Sequence, residues 1–149
     1  MTTSIKTRKA TEIAVVRHLQ SLARARDVGV AVEKRTAAER ERSVAADELL
    51  DLEAEWRAAV SRATFLPELA PAWSAQIRGQ SHALARAEDR LRTTQAALLD
   101  HRKAWQVALV RETAAQANRD TLERQDRAER DERALKEASD LHLARKRSR

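Results

Sequence analysis

The sequence predicts an all-α protein: two long helices folded back on each other as an antiparallel coiled-coil hairpin. Three observations carry that expectation. Only two glycines and two prolines occur in 149 residues. Both prolines fall in one short segment, Phe65-Leu66-Pro67-Glu68-Leu69-Ala70-Pro71. Apolar residues in the second half of the chain recur at seven-residue intervals.

The break comes first. A proline inside a helix removes a backbone donor and clashes with the preceding turn, at about 3 kcal/mol. Two within five residues exclude a continuous helix through this point. Nothing comparable occurs elsewhere, since Gly29 and Gly79 each cost only about 1 kcal/mol in a helix interior. The expected elements are helix 1 over about residues 5–64, a turn over about 65–71 and helix 2 over about 72–145. Pro71 suits the first turn of helix 2, where its missing N–H leaves no gap in the ladder. At about 1.5 Å per residue each helix would run roughly 90–110 Å. Such a helix needs a partner along its length.

Helix 2 carries the clearer seam. Ile77, Leu84, Leu91, Leu98 and Trp105 repeat every seven residues. Gln80, Ala87, Thr94, His101 and Ala108 form a weaker row three positions on, picking up Ala115 and Leu122. A sustained seven-residue repeat implies a left-handed supercoil. In helix 1, Leu49, Leu52, Trp56, Ala59 and Ala63 give a matching pattern near the break. Val16, Leu19 and Ala23 start a second pattern, extended by Val30, Ala37 and Val44. The two are out of phase, so a stutter is expected between Val44 and Leu49. Folding about Glu68 would set Trp56 near Ser81 and Leu19 near Ala117. The short connection favours an intramolecular hairpin through high effective concentration. A dimer or four-helix assembly stays open.

Residues 119–137 hold five acid-to-base pairs at i,i+4, each with the acid first. They are Asp120–Arg124, Glu123–Arg127, Asp126–Arg130, Glu129–Arg133 and Glu132–Lys136. That order is the favourable one, at about 0.2–0.5 kcal/mol per pair. This stretch can hold a helix with little apolar support. It reads either as a solvated face or as a helix that projects beyond its partner into a polar protein channel.

Composition excludes several classes. With no cysteine, disulfide and thiolate chemistry are out. No apolar run approaches the roughly 18 residues that span a bilayer. Met1–Ala10 is polar and has no apolar core of a secretory signal, so a cytoplasmic location is expected. Charged residues make up 35% of the chain and aromatics 3%, with net charge +6 and a pI of about 10.4. The positive excess sits at the ends. Lys6, Arg8, Lys9, Arg17, Arg24 and Arg26 face a lone Glu12, and Arg145, Lys146, Arg147 and Arg149 close the chain. Charge alone permits nonspecific nucleic-acid binding at low salt. A bZIP-like arrangement is absent, because no dense basic region runs into a clean zipper.

No phosphate-cradling glycine loop, His-Glu-x-x-His or calcium loop occurs. The four histidines, His18, His82, His101 and His142, are far apart. Catalysis needs a concave, water-excluding site, which a helix pair does not offer. No enzyme activity, cofactor or metal is therefore expected.

The hairpin tip gathers apolar bulk. Phe65, Leu66, Leu69, Trp73 and Ile77 surround the two prolines. They either cap the coiled coil or form a docking surface, and the two roles are compatible.

The two long Ala/Arg/Glu/Leu-rich helices, the single central break and the basic ends resemble the FliJ/YscO family. These are central-stalk coiled-coil proteins of bacterial flagellar and virulence type III secretion systems. The resemblance covers the whole chain and is architectural. It implies a stalk whose helix ends enter and activate a hexameric secretion ATPase, while the hairpin region contacts an export-gate protein and export chaperones. It implies no membrane insertion, no specific nucleic acid and a place in the cytoplasm beside the inner-membrane export apparatus. Carried over, Arg8, Lys9, Arg17, Arg145, Lys146 and Arg147 become candidates for the ATPase contact. Phe65, Leu66, Leu69, Trp73 and Ile77 become candidates for gate or partner docking, extended along the helix by Gln80 and Leu84. Gly79 departs from a stiff helix in that region. Beside this reading stand a scaffold, adaptor or chaperone with no ATPase role, and a basic coiled coil that binds nucleic acid.

Overall fold

Helix formation begins at Ile5 and stops where side-chain and proline sterics require it. The computed structural model describes residues 4–147, with side-chain surroundings for 4–143. It contains α1 (Ile5–Val60), a 3-10 turn (Pro67–Leu69) and α2 (Ala70–Arg147). The two long helices pack on each other, giving the all-α helical hairpin expected from the sequence. Among the described residues there is no strand.

The break is wider toward α1 than the prolines alone suggest. α1 ends at Val60 rather than near residue 64. Pre-proline sterics hold Leu66 extended, at φ −101° and ψ 109°, so the helix must close upstream. The Arg62 N–H donates to the Ala59 carbonyl at 3.2 Å, an i,i−3 bond that tightens the last turn. The Ser61 hydroxyl donates to the Arg57 carbonyl at 2.8 Å. Pro67 opens the 3-10 turn, and Pro71 sits in the first turn of α2 as expected. No described residue takes a positive φ, so the reversal needs no glycine.

The chain divides into two compact units. One holds residues 26–103 and the other residues 1–25 with 104–149.

In the unit of residues 26–103, the seam of α2 follows the sequence repeat. Ile77, Gln80, Leu84, Ala87, Leu91, Thr94, Leu98 and His101 are shielded, and most residues between them are exposed. The seam of α1 keeps the expected Leu49, Leu52, Trp56 and Ala59 near the break and differs from the expected one before them. Ala31, Ala38 and Ala45 are buried, whereas Val30 and Val44 are open to solvent. These alanines share one seven-residue repeat with Leu52 and Ala59, and Val28, Arg35, Leu49 and Trp56 form its companion row. No stutter is needed. The reason is volume: bulk comes from the leucines of α2, so small side chains of α1 let the helices close up.

The fold axis also moves. Trp56 meets Trp73, with ring centroids 5.7 Å apart, rather than Ser81. Gln80 Nε2 donates to Glu48 Oε2 at 2.7 Å, and Arg90 pairs with Glu41 at 3.1 Å. The chain turns about Phe65 instead of Glu68, a register shift of about one heptad across the pair. The early end of α1 accounts for it.

In the unit of residues 1–25 and 104–149, the seam is small and polar. Ala10 and Ala14 are buried, and so are the hydroxyl residues Thr7 and Ser21. The environment of Leu19 faces Glu112 rather than Ala117, because His18 Nδ1 and the Ser21 hydroxyl both bond Glu112. The Thr7 hydroxyl donates to Asp126 Oδ2 at 2.5 Å, and the Ser4 N–H joins it at 3.2 Å. Thr7 and Ser21 lie two heptads apart on α1, as Asp126 and Glu112 do on α2. The hydroxyl–carboxylate pair therefore repeats. A buried hydroxyl without a partner costs about 1–3 kcal/mol, so each pair fixes register by penalising slippage.

Candidate functional site

The tip of the hairpin lies within residues 26–103. Trp56 is its centre. It meets Phe65 edge-on at 5.5 Å and 70°, and Trp73 at 5.7 Å and 40°. Such pairs add about 0.5–1.5 kcal/mol beyond the area they bury. Phe65, Trp73 and Ile77 are partly shielded by this packing, so they cap the helix pair. Leu66 and Leu69 remain exposed. They border a shallow hollow with Phe65, Trp73 and Arg62. Gln80 and Leu84 lie on the seam facing α1, and Gln80 spends its amide on Glu48 and the Ala45 carbonyl. The docking candidates are thus split: Leu66 and Leu69 outside, the other five within the helix pair. The composition of the cluster is legible in the sequence, whereas Trp56 as its hub is not, because a fold about Glu68 sets Trp56 against Ser81 instead of Trp73.

The basic candidates lie in the other unit. Arg8 is exposed and pairs with Glu12 at 3.7 Å. Lys9 is exposed. Arg17 is half-shielded and donates to Gln20 Oε1 at 2.9 Å. The side chains of Arg145, Lys146 and Arg147 lie outside the described residues.

From Arg127 to Leu143 every residue of α2 is exposed. The repeat that carried the seam now falls on Glu129, Arg133, Lys136 and Asp140 and reaches an apolar residue again at Leu143. A helix whose seam positions are charged has no apolar stripe for α1 to cover. Three of the five expected acid–base pairs form: Glu123–Arg127 at 3.9 Å, Glu129–Arg133 at 3.1 Å and Glu132–Lys136 at 2.7 Å. The other two acids are diverted. Asp120 is held by Arg119 at 2.7 Å, and Asp126 by Thr7 and Ser4. Arg124 and Arg130 instead donate to backbone carbonyls one turn earlier.

His18 Nδ1 and Glu112 Oε1 meet across the helix pair at 2.7 Å. The Ser21 hydroxyl, and then His18, hold the Glu112 carboxyl below the usual range. The sequence offered no signal for this pair, since their partnership depends on register alone. Among the described residues, no group of three or more His, Asp or Glu is placed to hold a metal. No helix there is long and apolar enough to cross a membrane.

Comparison with protein-family models, curated proteins and solved structures gives no match.

Proposed function

We propose that the chain is a central stalk of a type III secretion export apparatus, flagellar or injectisome. It inserts helix ends into a hexameric secretion ATPase, activates it and links it to the export gate. The architectural resemblance to the FliJ/YscO family motivates this reading. The observation that carries it is the end of α2, where Arg127–Leu143 continue as an exposed helix whose seam positions are charged from Glu129 to Asp140. Such a segment suits a polar channel better than an apolar groove. The protein supplies no catalytic group. An asymmetric helix pair inside a ring makes different contacts with each subunit and so biases their conformations.

The test is co-elution of the purified chain with the secretion ATPase of the same organism. A stable complex that is lost when α2 is truncated after Asp126 supports the stalk. A complex that survives the truncation argues against insertion of this end.

A second reading has its own observation. Leu66 and Leu69 stay exposed at the tip, which fits an adaptor that docks a partner there with no effect on ATP hydrolysis. In the stalk reading the same two residues are the first candidates for the export gate or an export chaperone.

A further inference from the structure

The first five turns of α1 are built inside out. Their inward positions hold Thr7, Ala10, Ala14, Arg17 and Ser21. Every isoleucine, valine and leucine of residues 5–25 faces solvent: Ile5, Ile13, Val15, Val16, Leu19 and Leu22 are each more than half exposed. A helix that pairs with one neighbour ordinarily turns its bulk inward. Here the bulk of α1 is withheld from α2, whose shielded seam positions are Glu112, Ala115, Arg119, Leu122 and Asp126, with Leu122 the one large apolar residue among these five. Val15 and Val16 lie four and three residues before Leu19, and Leu22 lies three after it, so all four border one face.

Charge narrows what can cover it. Residues 5–25 carry Lys6, Arg8, Lys9, Arg17 and Arg24 against Glu12 alone. Arg8 and Lys9 sit among the apolar residues, since Arg8 shares a face with Val15 and Lys9 with Ile13 and Val16. A helix lying on a bilayer separates a cationic face from an apolar one and favours aromatic anchors. This segment does neither, for it has no Trp, Tyr or Phe. A second copy would bring like charge against like charge. Nucleic acid would leave the six apolar side chains in water.

We propose that the outer face of α1 between Ile5 and Leu22 docks an acidic amphipathic helix of another protein. The partner sets apolar residues against Val16 and Leu19, with Glu or Asp flanking them to meet Lys6, Arg8 and Lys9. This face is separate from the charged end of α2, and the proposal stands whether or not the partner is a secretion ATPase.

The probe is a labelled designed helix about four heptads long, with Leu at the core positions and Glu flanking them. A matched helix with Lys in place of Glu serves as control. Anisotropy titrations use the full chain. The Glu helix should bind at least tenfold more tightly than the Lys helix. The double variant Val16→Ser/Leu19→Ser should weaken it tenfold or more, and so should Lys6→Glu/Arg8→Glu/Lys9→Glu. All five changed positions are exposed, and circular dichroism checks that the helices persist. Absence of binding, equal binding of the two helices or indifference to the variants overturns the proposal. Self-association in sedimentation that depends on Val16 and Leu19 would assign the face to a second copy. Binding to phosphatidylserine vesicles that the Glu helix does not displace would assign it to lipid.

Discussion

Leu98 and Leu99 are neighbours in sequence, and the packing treats them oppositely. Leu98 is 7% exposed and Leu99 is 54% exposed. Replacing Leu98 by alanine removes three buried carbon atoms at about 0.8 kcal/mol each. A cavity contribution follows, because the neighbouring helix cannot collapse fully onto the gap. The expected loss is about 2–4 kcal/mol. In a chain of this size, that lowers the midpoint of thermal unfolding by roughly 5–12 °C. Leu99→Ala removes the same atoms from a side chain half in water, and alanine is the better helix former. Its cost should stay within about 1 kcal/mol. Urea unfolding followed by far-UV circular dichroism measures both. Equal losses for the two variants, or a larger loss for Leu99→Ala, would refute the seam assignment and with it the register of residues 26–103.

Trp56→Ala should cost about 2–4 kcal/mol and abolish the near-UV signal of the tip. Leu66→Ala, at an exposed site, should cost no more than about 0.5 kcal/mol. Gly79 has open space around the position of a Cβ, so Gly79→Ala should raise stability by about 0.5–1 kcal/mol in the same urea assay. The lowered Glu112 carboxyl stabilises the fold above the usual carboxylate range, and that contribution is lost as pH falls through the lowered value. Glu112→Gln should therefore be less stable than wild type at neutral pH, with the gap closing on acidification. A gap that widens in acid would contradict the Ser21–Glu112–His18 arrangement.

The hairpin was legible because its signals are local. Pro67 and Pro71 mark the break by backbone sterics alone, and the Ile77 to Trp105 row marks the seam of α2 by spacing alone. The seam of α1 is legible near the break, at Leu49, Leu52, Trp56 and Ala59, but not before it. Reading bulk as burial selects Val16, Leu19, Val30 and Val44, all exposed in the fold, and passes over Ala31, Ala38 and Ala45. Alanine has little burial energy of its own, so its place inside is decided by the leucines opposite. α1 ends at Val60, four residues before the expected 64, because the demand of Leu66 for an extended backbone acts upstream of the prolines. The earlier end moves the fold axis and makes Trp56 the hub of the tip. The pairs Thr7–Asp126 and Ser21–Glu112 depend on cross-helix register, which one helix's pattern does not encode. The charged repeat of residues 119–137 was legible as a helix that needs little apolar cover, and Arg127–Leu143 stand exposed accordingly.

The proposed stalk function is tested most directly by the ATP hydrolysis rate of the organism's own type III secretion ATPase, with and without this protein. The stalk reading requires a saturable rise in rate. That rise should be lost when the basic start of α1 and the end of α2 beyond Asp126 are both removed. An unchanged rate, with no complex on a sizing column, would contradict it and leave the adaptor reading in first place.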